Sequence, residues 1–163
     1  MAILKIVKEG DPILRKSCRT VETITPRMLQ LIDDMKETLA RAQGVGLAAP
    51  QVGVLRRIVL VEDADGKVLE LINPKIVAYS EARQNELEGC LSIPNQWGIT
   101  DRPESVTVSA LDRNGKPFTV SGTGITARCF CHEIDHLDGI LFKDKAIRML
   151  TEEELDQMQK DEA

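Results

Sequence analysis

The chain has 163 residues, of which 42% are hydrophobic, and it carries a formal net charge of −5 at neutral pH. This length and composition predict one globular domain spanning residues 1–163. The net charge argues against direct nucleic-acid binding, and no apolar run is long enough for a signal peptide or a membrane span. Four cysteines without a secretory signal favour thiol or metal chemistry in a reducing compartment, so we expect a cytoplasmic protein.

An N-terminal helix is predicted over residues 26–42. Thr25 is a suitable N-cap, Pro26 fits the first helical position, and apolar residues then recur at helical spacing until Gly44 stops the helix. Residues 1–24 precede this helix. We expect them to form a short strand or extended arm, followed by an irregular segment.

The glycine-rich segment GVGLAAPQVG follows at residues 44–53. It lacks the lysine and the serine or threonine that end a phosphate-binding loop. A structural turn is one interpretation, because glycine permits positive φ angles and close backbone approach. Gln51 favours a ligand-binding loop instead, since its side chain follows small residues that leave room for a ligand.

The middle of the chain is predicted to form antiparallel strands, because short apolar or alternating runs are separated by turn sequences at residues 63–66 and 112–115. Asn73 and Pro74 are expected to end one of these strands. The predicted strands lie within residues 58–61, 68–72, 75–88, 106–110 and 118–120.

Two more helices complete the prediction. One begins near Gly124 or Ile125 and ends at Gly139, and a C-terminal helix is opened by a capping box of Thr151 and Glu154. The chain is therefore predicted to be an α+β protein, with mostly antiparallel strands packed around a central metal-binding helix. An N-terminal and a C-terminal helix flank this arrangement.

The sequence CHEIDHLDG at residues 131–139 carries the strongest chemical signal. His132 and His136 are four residues apart and share a helix face, so both imidazoles can bind one metal ion, while Glu133 flanks it as a general base. These are the only two histidines in the chain. An amphipathic helix with surface histidines is the alternative, because the motif is short.

A catalytic metal site usually has a third protein ligand and an open position for water. Cys90 is favoured, because a separate loop can aim its thiolate. Cys129 shares the helix face of the histidines and is expected to line the pocket, whereas Cys131 points away. A glutamate would instead give a thermolysin-like protease, but those glutamates belong to the predicted C-terminal helix. The candidates considered are Cys90, Cys18, Cys129, Cys131 and residues 152–154.

Three motifs together resemble the signature of the peptide deformylase family: GVGLAAPQ at residues 44–51, EGCLS at residues 88–92 and HEIDH at residues 132–136. They occur in the family's order, and the similarity extends over nearly the whole chain. The resemblance implies a metal-dependent hydrolase that removes the formyl group from the N-terminal formyl-methionine of nascent peptides. It implies Cys90, His132 and His136 as metal ligands, Glu133 as general acid and base, and Gln51 with the Leu91 backbone N–H as oxyanion donors.

The resemblance also implies how the peptide binds, as an extended strand paired with backbone groups on both sides. A nearby apolar pocket would take the methionine side chain, although an ordinary core role is the alternative for its lining. The residues expected to pair with the peptide are Val45, Gly46 and Gly89, and those expected to line the pocket are Leu87, Ile125 and Cys129. Arg102 is a candidate to hold Glu88, with a plain surface ion pair as the alternative.

The resemblance favours one Fe(II) as the physiological ion, and two imidazoles with one thiolate also suit Zn(II), Ni(II) or Co(II). We expect a monomer. Two rival functions are a zincin endopeptidase with a glutamate ligand and a metal-stabilised binding module that has lost turnover. The presence of Glu133 and Gln51 argues against the binding module.

Two features depart from the family pattern, one at residue 131 and one in the C-terminal segment. Cys131 stands where the family usually has glutamine, and we expect this change to be tolerated. Some relatives dock on the ribosome through a basic C-terminal helix, whereas residues 151–163 hold six acidic residues and one lysine. Because phosphate backbones favour lysine and arginine, transient ribosome association is not expected through this helix.

Overall fold

The chain forms two antiparallel β-sheets that both contact one central helix, in a computed structural model that describes residues 2–162. The strands are β1 (Gly46–Ala48), β2 (Ile58–Glu62), β3 (Val68–Tyr79), β4 (Arg83–Cys90), β5 (Ile93–Pro103), β6 (Ser105–Leu111), β7 (Pro117–Thr123) and β8 (Ala146–Met149). The α-helices are α1 (Pro26–Ala42), α2 (Gly124–Leu137), α3 (Phe142–Lys145) and α4 (Glu152–Glu162), and short 3-10 helices cover Pro12–Arg15 and Ala49–Val52.

The strands are ordered β1-β2-β3-β6-β7 in the first sheet and β4-β5-β8 in the second. All pairs of these strands are antiparallel, as in the register of Leu47 with Leu60 and of Val108 with Val120. This arrangement confirms the predicted α+β class, with α2 as the central helix. Strands β1 and β4 each lie at the edge of a sheet, so each has one side that its own sheet leaves unpaired.

Helix α1 has the predicted start and the predicted end at residue 42, but its C-cap is Gln43 rather than Gly44. Thr25 Oγ1 accepts a hydrogen bond from Met28 N at 3.3 Å, and a proline takes the first helical position. Gln43, not Gly44, adopts the left-handed conformation at the C-terminus, with a φ of 56°. A Cβ at Gly44 would lie 2.8 Å from Leu91 Cδ1, so a side chain there would displace the end of Leu91.

Helix α2 has a glycine with positive φ at or just beyond each end, at the two positions predicted from the sequence. It begins at Gly124, which has a φ of +57°, and Gly139 follows its end with a φ of +74°. A Cβ at Gly139 would lie 2.6 Å from the Arg15 carbonyl oxygen, so glycine allows the N-terminal segment to approach. The apolar side of α2 packs on the first sheet in a core that includes Val59, Val61, Leu71, Val108, Ala127, Phe130, Ile134 and Leu137.

Two strands cover most of residues 68–88, as predicted, but the predicted break between them at Asn73 is wrong. Strand β3 continues through Asn73 to Tyr79, with a register shift between Ile72 and Lys75. The Asn73 side chain bonds both the N–H and the carbonyl of Val21 at 2.8 Å, and its φ is 51°. The local sequence is typical of a strand end. The Val21 backbone groups that bond Asn73 are distant in the sequence, so the local pattern does not indicate them.

The N-terminal arm joins neither sheet, apart from an isolated bridge between Arg19 and Arg56. Two backbone hydrogen bonds hold it against the second 3-10 helix and the turn between β4 and β5, from Val7 N to Gln51 O at 2.7 Å and from Glu9 N to Ser92 O at 2.8 Å. Within residues 2–162, no helix combines the length and the apolar character needed to cross a lipid bilayer.

Candidate metal centre

A cleft of about 680 Å³ opens between the edge strands β1 and β4. Residues 43–46 form one wall, and residues 87–91 form the opposite wall together with residues 93–97. Helix α2 contributes side chains that include Ile125 and His132. The cleft is therefore bounded by two unpaired strand edges and by the helix that carries the HEIDH motif.

Three candidate ligand atoms converge beside this cleft. His132 and His136 lie one turn apart in α2 and are 5% and 1% exposed, while Cys90 ends β4. One ligand atom from each residue lies within 4.8 Å of the other two, and Cys90 Sγ is 3.4 Å from His136 Nε2. Metal–sulfur and metal–nitrogen bonds of about 2.3 and 2.1 Å at a tetrahedral angle separate these two atoms by about 3.6 Å. The donor set therefore fits a divalent metal ion.

The orientation of His132 is set by Glu88 in β4. His132 Nδ1 lies 2.7 Å from Glu88 Oε2, which leaves Nε2 directed to the ligand cluster. Arg102 bonds Glu88 through Nη2 at 2.8 Å and Asp135 through Nη1 at 2.7 Å. Burial alone would raise the pKa of Glu88, but hydrogen bonds from His132 and Arg102 lower it to about 2. The pair of Arg102 and Glu88 is thus buried, and the surface-pair alternative is wrong.

His136 is suited to act as a neutral ligand. Burial lowers its pKa well below the usual value for histidine, so its ring keeps a lone pair at neutral pH. Its Nδ1 atom is buried and has no hydrogen-bond partner within residues 2–162.

Glu133 lies between the ligand cluster and strand β1. Its Oε2 atom is 3.9 Å from His132 Nε2, and its Oε1 atom is buried without a hydrogen-bond partner in the described part of the chain. Burial raises the pKa of Glu133 to about 7. A Cβ at Gly46 would lie 2.6 Å from Glu133 Oε2, so glycine at this position makes room for the carboxylate.

Gln51 presents a fixed amide group to Cys90. Its Oε1 atom accepts from Ala48 N at 2.9 Å, and its Nε2 atom donates to Ser92 Oγ at 3.0 Å. The same nitrogen lies 3.5 Å from Cys90 Sγ. Leu91 follows Cys90 in the turn between β4 and β5 and also lines the cleft.

The remaining predicted residues divide between the rim and the walls of the cleft. Val45 and Ile125 are 46% and 58% exposed at the rim, whereas Leu87 and Gly89 form part of the β4 wall. Cys129 lines the cleft and also belongs to the buried core around α2, and its contact with a methionine side chain stays a prediction.

The other candidate ligands lie elsewhere. Cys18 and Cys131 are core residues and do not line the cleft, in agreement with the direction predicted for Cys131. Burial raises the pKa of Cys18 to about 11 and raises that of Cys131 as well. In α4, Glu154 pairs with Arg148 at 2.8 Å on the surface, so the glutamate-ligand alternative has no support.

Two residues of the cleft, Arg128 and Trp97, and one residue that bonds Gln51 beside it, Ser92, are missed from the sequence. Ser92 belongs to the EGCLS motif, which is a usable signal. Arg128 donates to Leu87 O at 2.8 Å, and its position one turn before His132 on α2 is a second usable signal. Trp97 lines the cleft from β5 without any local pattern that indicates it.

The fold and the site together define a class of protein: an α+β domain in which a helix between two antiparallel sheets brings two buried histidines beside a cysteine, as a candidate metal-binding cluster with a carboxylate next to it. The family model described as polypeptide deformylase matches residues 3–152. The chain belongs to the peptide deformylase family and is therefore an enzyme. Members of this family remove the formyl group from the N-terminal methionine of nascent peptides.

Similar proteins agree with this assignment. The chain is 52% identical over 157 residues to the peptide deformylase of Caldicellulosiruptor bescii. The aligned region covers 96% of this chain and 93% of the relative. It is 53% identical over 156 residues to that of Acetivibrio thermocellus, covering 96% and 91%. The crystal structure of peptide deformylase from Thermotoga maritima is similar with a TM-score of 0.87 and 33% identity, covering 91% of this chain and 100% of that one.

Proposed function

We propose that the chain hydrolyses the formyl group of formyl-methionyl peptides with one divalent ion held by Cys90, His132 and His136. The observation that carries this proposal is the convergence of one ligand atom from each residue within 4.8 Å, at the cleft between two strand edges. A divalent ion in this position supplies Lewis acidity, which makes water acidic enough to act as a nucleophile near neutral pH.

Fe(II) is the proposed physiological ion. Two imidazoles and a thiolate make a donor set of intermediate softness, and Zn(II), Ni(II) and Co(II) suit the same set. The hydrogen bond that His132 Nδ1 donates to Glu88 fixes the ring that presents Nε2, as outer partners of metal-binding histidines usually do.

Glu133 is the proposed general acid and base. Its carboxylate lies beside the ligand atoms, 3.9 Å from His132 Nε2, and one of its oxygens has no other partner within residues 2–162. This oxygen can take a proton from the attacking water and later deliver it to the leaving amine. The buried position beside Gly46 keeps bulk water from competing for that proton.

The Gln51 amide and the Leu91 backbone N–H are the proposed oxyanion donors. Bonds to Ala48 N and Ser92 Oγ hold the Gln51 carboxamide in one orientation, with Nε2 towards Cys90. Because these donors are in place before reaction, they need no reorganisation as charge develops on the formyl oxygen.

The proposed substrate lies as an extended strand between β1 and β4. Both strands have an unpaired edge, and the backbones of Val45, Gly46 and Gly89 line the cleft between them. The methionine side chain would enter the part lined by Leu87, Ile125 and Cys129. A formyl carbon carries only hydrogen, so it reaches a narrow site that larger acyl groups do not.

The proposed partners are nascent formyl-methionyl peptides, and the proposed location is the cytoplasm. We propose that residues 1–163 act as one domain and as a monomer. Helix α4 begins with three glutamates, so docking on ribosomal RNA through this helix is not part of the proposal.

The test is formate release from a formyl-methionyl tripeptide, measured with protein loaded with Fe(II) in the absence of oxygen. Wild-type protein is expected to release formate, and Cys90→Ser to lose both bound metal and activity. Cys18→Ser is the matched control, because it removes a core thiol away from the cleft and is expected to keep both. Formate release by metal-free Cys90→Ser would contradict the proposal.

A further inference from the structure

Trp97 is the only tryptophan in the chain, and it stands in an unusual environment. Its side chain is 38% exposed, although an indole is one of the largest apolar groups available for burial. It lines the cleft beside Gly89, on the same wall as Cys90. An exposed aromatic side chain inside a binding cleft suggests contact with a ligand.

An irregularity in β5 gives Trp97 this position. Glu88 pairs with Gly98 and Cys90 pairs with Ile93, so β4 advances two residues while β5 advances five. Residues 94–97 lie in this irregular part of β5, and Asn95 among them has a left-handed φ of 63°. Bulges of this kind turn side chains towards functional sites.

Gly89 accommodates the indole. A Cβ at Gly89 would lie 2.7 Å from both Cε3 and Cζ3 of Trp97, so the ring occupies the space that a side chain on β4 would need. The wall of the cleft therefore consists of the Gly89 backbone and the Trp97 ring side by side. A peptide that pairs with the Gly89 backbone passes directly beside the indole.

The backbone around Trp97 is held by strand β8 and the residue that follows it. The Trp97 carbonyl accepts a hydrogen bond from Leu150 N at 2.8 Å. At the next residue, a Cβ on Gly98 would lie 2.7 Å from Met149 Sδ, so this part of β5 is held tightly. The backbone of Trp97 is thus held in place, and its ring packs against Gly89 at the wall of the cleft.

We propose that Trp97 determines specificity by contacting the side chain of one of the two residues that follow methionine, with a preference for aromatic side chains. This inference rests on the proposed deformylation of extended peptides. Lys8 and Arg128 also line the cleft, and both carboxylates there, Glu88 and Glu133, are buried. The charges in the cleft therefore disfavour basic side chains, whereas the indole favours aromatic rings.

The experiment compares two peptide series, formyl-Met-X-Ala and formyl-Met-Ala-X, with X as Phe, Gly or Lys. In one of the series, the wild-type kcat/KM is expected to be about fivefold higher for Phe than for Gly, the size of a typical aromatic contact. Trp97→Ala is expected to reduce this ratio below about twofold, and Trp97→Phe to keep most of it.

Tyr79→Ala is the matched control, because Tyr79 is an exposed aromatic residue of β3 that does not line the cleft. It is expected to leave the Phe-to-Gly ratio unchanged. The fluorescence of Trp97 in wild-type protein is also expected to change on titration with the product peptide Met-Phe-Ala or Met-Ala-Phe.

The failures of the two proposals are distinguishable. If wild-type protein releases no formate from any peptide, the proposed function fails. If it releases formate but Trp97→Ala leaves the ratio unchanged in both series, or if Lys is preferred to Phe in both, only the role of Trp97 is overturned. An equal loss of the ratio in Tyr79→Ala would also overturn it.

Discussion

Two arginines of this chain each bridge two carboxylates, and their surroundings differ. Arg102 pairs with Glu88 and Asp135 at 2.8 and 2.7 Å, and its side chain is 5% exposed. Arg113 pairs with Glu70 and Asp33 at 2.7 and 2.8 Å, and its side chain is 35% exposed.

The difference between these clusters lies in what they touch and in how far water reaches them. The Arg102 cluster continues through Glu88 to the ring of His132, so its geometry reaches a proposed metal ligand. The Arg113 cluster joins α1 to the first sheet through Asp33 and Glu70 and contacts no residue of the cleft. Similar ion pairs therefore orient a proposed metal ligand in one place and join a helix to a sheet near the surface in the other.

The largest expected loss of activity comes from a change at Glu133. This residue forms no bond with Arg102, Glu88 or Asp135, so it lies outside both arginine clusters. Glu133→Gln is expected to reduce kcat by about three orders of magnitude, because proton transfer loses its acceptor. Bound metal is expected to stay near one per chain, as measured by metal analysis. Turnover at the wild-type rate would show that the proton goes elsewhere.

Gln51→Ala is expected to lower kcat by about a hundredfold with little change in KM, because one oxyanion donor is lost while peptide pairing is kept. Steady-state kinetics with one formyl-methionyl tripeptide separates the two parameters. A rise in KM at constant kcat would assign Gln51 to peptide binding.

Arg102→Gln and Arg113→Gln test the comparison itself. Removing Arg102 leaves the buried charge of Glu88 uncompensated, so the free energy of unfolding is expected to fall by about 3 kcal/mol, and metal affinity by about tenfold or more. Removing Arg113 is expected to cost less than about 1 kcal/mol and to leave metal affinity unchanged. Urea unfolding and competition with a chelator measure these two quantities. Equal losses in both variants would remove the distinction between the clusters.

The smallest expected effect is the pH dependence of the exposed cluster. Burial alone would raise the pKa of Glu70, but hydrogen bonds from Arg113 and Lys36 lower it below the ordinary value of 4.5. The ionised form is therefore favoured by folding, and the stabilisation present above pH 4.5 is lost as the pH falls below it. The stability difference between wild type and Glu70→Gln is expected to shrink between about pH 7 and about pH 3. A difference that grows on acidification would give the pKa shift the opposite sign.

The sequence predicts the parts of this molecule that depend on local spacing. The two histidines of α2 share a face because four residues make about one helical turn, and Thr25 and Pro26 start α1 where expected. The preference for Cys90 over Cys129 and Cys131 needs only the argument that a third ligand comes from another segment, but this argument alone does not exclude Cys18. The role of these residues in catalysis stays a prediction.

Other features depend on contacts between distant residues, which leave no periodic signal. Asn73 does not end β3, because its side chain bonds the backbone of Val21. Arg102 is buried by the strand pairing of β4 with β5 and by its contact with Asp135, so its exposure was not predictable from neighbours in the sequence. Trp97 enters the cleft because β5 bulges opposite Gly89.

X-ray absorption spectroscopy of the zinc-loaded protein tests the central claim most directly. One sulfur at about 2.3 Å and two imidazole nitrogens at about 2.0–2.1 Å are expected. The sulfur signal is expected to disappear in Cys90→Ser and to persist in Cys18→Ser. A wild-type spectrum with only nitrogen and oxygen ligands would contradict the Cys90, His132 and His136 site.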